Sequence, residues 1–149
     1  MLVADICSRE VAVVTRGKSI LDAVKVMRDR HVGSVVVVDD SNGERAPVGI
    51  LTDRDIVIEV LVEGVDLSSI TAGDAMSYEL MSVGERDEVM DALRVMRTKG
   101  VRRVPVVNAF GGLVGILAFD DIVKVIAAQL ADLASVFMLE QGRERIYRP

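Results

Sequence analysis

Apolar positions along this chain follow two alternating periods, and the whole pattern is written twice. In ILDAVKVMRDRHVGSVVVV (residues 20–38), Ile20, Ala23, Val24 and Met27 recur at i, i+3, i+4 and i+7, the stripe of a helix that buries one face. Ser19 stands where a helix N-cap belongs. The stripe runs into VVVV (35–38), too short for a helix and rich in strand formers. The same text returns 69 positions later as VMDALRVMRTKGVRRVPVV (89–107), with Val89, Ala92, Leu93 and Met96 as its stripe. VGILTDRDIV (48–57) returns 66 positions later as VGILAFDDIV (114–123). The lead-ins VADICS (3–8) and AGDAMS (72–77) also match. The drop in offset is a three-residue excess in one loop, DDSNGERAPVG against NAFGGLVG.

Each copy therefore predicts a lead-in, a strand, a helix, a strand, a turn, a strand and a helix. The turns are set at 39–43 and 108–112 by their Asp, Asn and Gly residues, and the strands after them at 48–51 and 113–117. The helix that follows in the first copy is predicted from Asp53 to about Val62. Such a unit is a small α/β (α+β) sandwich with one sheet face on its helices. The other face needs a partner, and the second copy supplies it, giving two pseudo-symmetric βαββα repeats packed sheet to sheet. The expected boundaries are 1–66 for the first repeat with its lead-in, 67–131 for the second, and 132–149 for a helical extension and tail. The final helix starts near Asp120, carries Ile122, Ile126, Leu133 and Phe137 as its stripe, and is expected to stop at Gln141-Gly142, leaving a charged, mobile tail.

Composition narrows the function. The net charge of −5 argues against general nucleic-acid binding, and the lack of tryptophan argues against base-stacking platforms. No run approaches the roughly 18 uninterrupted apolar residues of a membrane span, and no signal-peptide pattern opens the sequence. The expectation is no membrane and no nucleic-acid partner. The single cysteine, Cys7, has no internal disulfide partner, so a reducing cytoplasm is the simplest compartment. One His and one Cys, far apart, give no nucleophile–base pair, and neither a metal-ligand cluster nor a phosphate loop of the Walker type is present. An enzyme is not expected. His31 reads as a surface or helix-end residue.

The candidate chemistry lies in Gly49-Ile50-Leu51-Thr52-Asp53-Arg54-Asp55, where a strand hands over to a helix. Backbone N–H groups and the helix dipole favour an anion there. Thr52 can donate to a phosphate oxygen, Arg54 can add a charge-assisted contact, and Asp55 offers two acceptors to a vicinal diol. The same Thr-x-x-Asp spacing is also a capping box. In the second copy Asp121 keeps the carboxylate, but Ala118 lacks the hydroxyl and acidic Asp120 replaces Arg54. Lys99, Arg102 and Arg103 form a basic cluster ahead of the second copy's strand.

Taken together, D-I-x-S … S-I-x-D-A-x-x-x-M … V-x-x-V-x-V-V … V-G-I-L-T-x-x-D, present twice from Val3 to about Leu130, resembles a pair of CBS domains, the Bateman module. The resemblance implies a regulatory, signal-transducing sensor of an adenosine ligand: AMP, ADP or ATP, with S-adenosylmethionine and NAD(H) less favoured. It implies that Thr52 and Asp55 take phosphate and ribose, and that Arg102 and Arg103 point toward phosphates. Adenine would enter a slot near residues 7–11 and 76–80. It also implies a homodimer pairing through helices and a possible separate regulated protein. The alternative is a pair that has lost its ligand and only mediates assembly.

Overall fold

The computed structural model describes residues 1–41, 43–77 and 80–148. Each repeat builds a three-stranded sheet, β1 (Val13–Thr15), β2 (Ser34–Ser41) and β3 (Glu44–Thr52) in the first, β4 (Val83–Gly84), β5 (Arg103–Val107) and β6 (Leu113–Ala118) in the second. In both, the central strand pairs parallel to the first and antiparallel to the third. The register slips at Val37/Val38 and at Val106/Val107, the same place in each copy. The expected turn at 39–43 is mostly strand: β2 runs to Ser41 and β3 starts at Glu44, so the extra loop residues lengthen the hairpin instead. Asn42 of that turn lies outside the described residues. The shorter turn at 108–112 is as expected, with the Asn108 side-chain oxygen accepting from the N–H groups of Phe110 and Gly112.

Alternation along the central strands sorts their side chains. Val35 and Val37 join Ile20, Ala23 and Met27 of helix α2 (Ile20–Arg30) in one core, and the chain's one-turn lead-in helix, α1 (Val3–Ile6), precedes them. Val104 and Val106 join Val89, Ala92 and Met96 of α5 (Val89–Lys99) in a second core. The intervening positions, Ser34 and Val36 on β2 and Arg103 and Pro105 on β5, take the opposite face of each sheet, toward the other repeat. Both helices end on a left-handed residue, Gly100 in the second copy and His31 in the first, at φ +66° and +55°. His31 is exposed there, as expected of a helix end.

The lead-ins are exchanged between the repeats. Val3 of α1 is buried in the second repeat's core, and Ala72 of the matching helix α4 (Ala72–Ala75) is buried in the first. Each then bridges the other repeat's last strand, Ser8 to Ile116 and Ser77 to Ile50. Two glycines permit that approach. A Cβ at Gly115 would stand 2.8 Å from the Ser8 carbonyl oxygen, and one at Gly49 would collide with the Met76 side chain.

The closing helices differ. The first opens as α3 (Asp53–Asp55) and continues in π-helical turns at Ile56–Leu61, matching the expected extent but with wider winding. The second, α6 (Phe119–Tyr147), is one α-helix of 29 residues, about 43 Å long at 1.5 Å per residue. It passes through Gly142 to Tyr147, so the expected stop at Gln141-Gly142 and the mobile tail are corrected. A mid-helix glycine costs only about 1 kcal/mol, too little to end a helix this long. Of its predicted stripe, Ile122 is buried in the second core, while Ile126, Leu133 and Phe137 are exposed. By length and composition α6 could cross a membrane, although it contains no uninterrupted apolar run of that length.

Candidate functional site

Where the two sheets meet lie two pseudo-equivalent clefts, the first at the strand-to-helix junction of Thr52. The first has a volume of about 620 Å³ and the second about 200 Å³. The difference follows the sequence. The first cleft is bounded by Gly100 and the Thr52 junction, whereas the second has His31 at the position of Gly100.

Thr52 ends β3 and caps α3. Its hydroxyl accepts from the Asp55 N–H at 3.1 Å, and the Thr52 N–H donates to Asp55 Oδ2 at 3.2 Å. The capping box anticipated as an alternative is therefore present. Among the described residues it still leaves the Thr52 hydroxyl proton and Asp55 Oδ1 without a partner, so capping does not use every polar atom of the pair. The same carboxylate-to-cap bond recurs at every equivalent helix start: Leu2 with Asp5, Thr71 with Asp74, and Ala118 with Asp121. In the Ala118 case only this half of the box exists, because alanine has no acceptor to return. The shared Asp is thus a helix-start requirement, and the hydroxyl is what distinguishes Thr52 from Ala118.

Five of the six predicted residues line the first cleft: Thr52, Arg54, Asp55, Arg102 and Arg103. Arg103 also borders the second, near the approximate symmetry axis. Asp121 lines neither, and its Oδ1 lies 4.0 Å from Lys124 Nζ. Arg102 is tied to the second repeat, its guanidinium 3.0 Å from Asp120 and 5.6 Å from the centre of the Phe119 ring. Both partners are largely exposed, so this pair is weak and readily broken. No ion pair engages Arg54, Lys99 or Arg103 among the described residues.

Of the slot expected near 76–80, Ser77 and Leu80 line the first cleft together with Met81, while Tyr78 and Glu79 lie outside the described residues. Of the slot near 7–11, Glu10 and Val11 border the second cleft, and Cys7 packs against the second core. Lead-in exchange produces this division: the second lead-in closes the first cleft. Sequence reasoning left out Ser34, which is only 9% exposed, lines both clefts and makes no side-chain hydrogen bond among the described residues. Strand alternation carried the signal, since Ser34 is the cross-strand partner of Thr52.

The CBS-domain family model matches residues 3–62 and 72–128. The chain belongs to the CBS-domain family, as a tandem pair. An uncharacterised protein of Methanopyrus kandleri is 35% identical over 123 residues, which cover 83% of this chain and 61% of that protein's length. A solved Hypoxic Response Protein I with two coordinated zinc ions is 32% identical, with a TM-score of 0.73 over 83% of this chain and 98% of that one. The CBS pair of a protein solved with 5′-methylthioadenosine and S-adenosylmethionine is 25% identical, with a TM-score of 0.74 over 87% of this chain and 98% of that one. CBS pairs are regulatory modules, and this likeness includes one that holds adenosine compounds. Among the described residues of this chain, no group of three metal-ligating side chains comes together.

Proposed function

We propose that the protein is a regulatory sensor that binds an adenosine-containing ligand in the first cleft. The observation that carries the reading is the Thr52–Asp55 junction, where a free hydroxyl proton and a free carboxylate oxygen face a cavity of about 620 Å³. In this reading Asp55 Oδ1 accepts from the ribose diol, and Thr52 with Arg54 holds phosphate. Arg103, and Arg102 once freed from Asp120, add positive charge. The apolar wall from Ile50, Leu80 and Met81 takes the adenine. The relative solved with two adenosine compounds supports the ligand class.

Signal output is proposed to pass through a homodimer formed on the closing helices. Val123, Ile126, Leu130, Leu133 and Phe137 follow a three-four spacing along α6 and are all at least 40% exposed. A second copy, or a separate regulated protein, would cover them. A second reading, an assembly module without ligand, draws on Ala118 and Asp120 at the second repeat's helix start, which replace Thr52 and Arg54. The intact first junction favours sensing.

A thermal-shift comparison of AMP, ADP, ATP, NADH and S-adenosylmethionine tests the proposal. A ligand at 100 times its Kd adds about 2.7 kcal/mol of stability, easily seen as a raised Tm. The same shift must shrink in Asp55→Ala. No shift with any of the five compounds would leave the assembly module as the better reading.

A further inference from the structure

We infer that the first cleft is built for a nucleotide carrying a chain of phosphates, in preference to a monophosphate or a cationic sulfonium nucleoside. The inference rests on the adenosine-site reading above and specifies its ligand. It comes from a difference in depth among the polar groups of the cavity.

The inner group consists of Ser34 and Thr52. They are cross-strand partners on the sheet face turned toward the other repeat, and Ser34 is nine-tenths buried and has no side-chain hydrogen bond among the described residues. Its hydroxyl opens onto the cavity, where it can donate to a ligand oxygen. The N–H groups of α3 are already donated, that of Asp53 to the Gly33 carbonyl, that of Arg54 to Asp53 Oδ1 and that of Asp55 to the Thr52 hydroxyl. The two hydroxyls suit a single phosphate.

The outer group is larger than one phosphate needs. Arg54 at the start of α3, Lys99 at the end of α5 and Arg103 at the start of β5 are exposed at the rim of the same cavity, and none is ion-paired among the described residues. Arg102 lines it too, held only by an exposed pair with Asp120. Against these four cations the lining carries two carboxylates, Asp53 and Asp55, and Asp55 is partly committed to its cap. A positive rim on a protein of net charge −5 is a local arrangement, opposed to the charge of the whole. Cations arrayed outward from a neutral hydroxyl floor match charge that increases with distance from the sugar, as along a di- or triphosphate.

Calorimetric titration of the full chain with AMP, ADP, ATP and S-adenosylmethionine tests this, without divalent cations and at two salt concentrations. The expected order is ATP tighter than ADP and ADP tighter than AMP, with about tenfold or more between the ends. ATP affinity should also fall more steeply with salt. Lys99→Gln, an exposed change, should weaken ATP about three- to tenfold and leave AMP within about twofold. Ser34→Ala should weaken AMP and ATP alike, by about fivefold. Equal affinity for AMP and ATP, or a Lys99→Gln loss shared equally by both, would overturn the polyphosphate inference while leaving the adenosine site intact. A Ser34→Ala protein that binds both nucleotides normally would overturn the inner group. Absence of binding by all four compounds would overturn this inference together with the adenosine reading beneath it.

Discussion

Ser34 and Thr52 are cross-strand partners on the face between the repeats, and the matching pair in the second repeat is Arg103 and Ala118. One register position thus holds two hydroxyls in one copy and a cation beside a methyl group in the other. The pairing puts the Thr52 hydroxyl at the first cleft alone, whereas Ser34 and Arg103 border both. Its first consequence is for stability: Thr52→Ala removes the hydroxyl that accepts the Asp55 N–H at 3.1 Å. It should cost about 1 kcal/mol in urea unfolding, the usual loss for an N-cap. Thr52→Ser should retain most of that stability. Equal losses in the two variants would show that the methyl, not the cap, matters.

Lead-in exchange gives the second prediction. Gly115→Ala sets a Cβ against the Ser8 carbonyl oxygen, 2.8 Å away, and backbone cannot retreat without breaking the paired Ser8 and Ile116 bonds. Destabilisation of about 1–3 kcal/mol is expected. Gly49→Ala meets the buried Met76 side chain down to its Cβ, which cannot swing aside, and should cost a similar amount. Chemical denaturation of both variants checks this, and a variant as stable as the unmodified protein would contradict it.

Much of this fold was legible from residue spacing. Stripes such as Ile20, Ala23 and Met27 fixed the helices, and the repeated VGIL segments fixed the last strands. Lead-in exchange was not legible, because VADICS and AGDAMS are alike and either could serve either core. The end of α6 was misread because a single glycine at 142 stops a helix only where its N–H and carbonyl neighbours find other partners; none is provided here. At the site, five of the six chosen residues share one cavity. Asp121 does not: its carboxylate bonds its own helix start, as that of Asp55 does, and its other oxygen faces Lys124. Ser34 escaped notice because a small polar residue ahead of VVVV looks like a strand end until its partner across the sheet is known.

A third prediction concerns acid. The Arg16 guanidinium beside Asp39, 2.7 Å away, holds that carboxyl below the usual range. A carboxylate whose folded pKa is depressed adds stability above its unfolded pKa, and that stability is lost as pH falls through the folded value. Arg16→Gln should return Asp39 toward its ordinary titration in an NMR pH series. Because the pair is exposed, neutral-pH stability should change little. An Asp39 titration unchanged by the substitution would rule out Arg16 as the cause.

Assembly provides a fourth. Leu133→Glu with Phe137→Glu places two charges on the exposed seam of α6, far from either cleft. Sedimentation should then show a monomer near 16 kDa in place of a dimer. Nucleotide binding should survive. A monomeric unmodified protein that instead sediments with lipid vesicles would assign the seam to a membrane surface and remove the dimer from the account.

The most direct measurement compares Asp55→Ala with Asp121→Ala in calorimetry against the tightest adenosine ligand. Both substitutions delete the same carboxylate from equivalent helix starts, so their effects on capping should be similar. Only Asp55 lines the larger cleft. Asp55→Ala should weaken binding by about 1–3 kcal/mol, roughly 5- to 150-fold, while Asp121→Ala should leave it nearly unchanged. Unchanged affinity in a folded Asp55→Ala protein, or an equal loss in both variants, would contradict the binding role of Asp55.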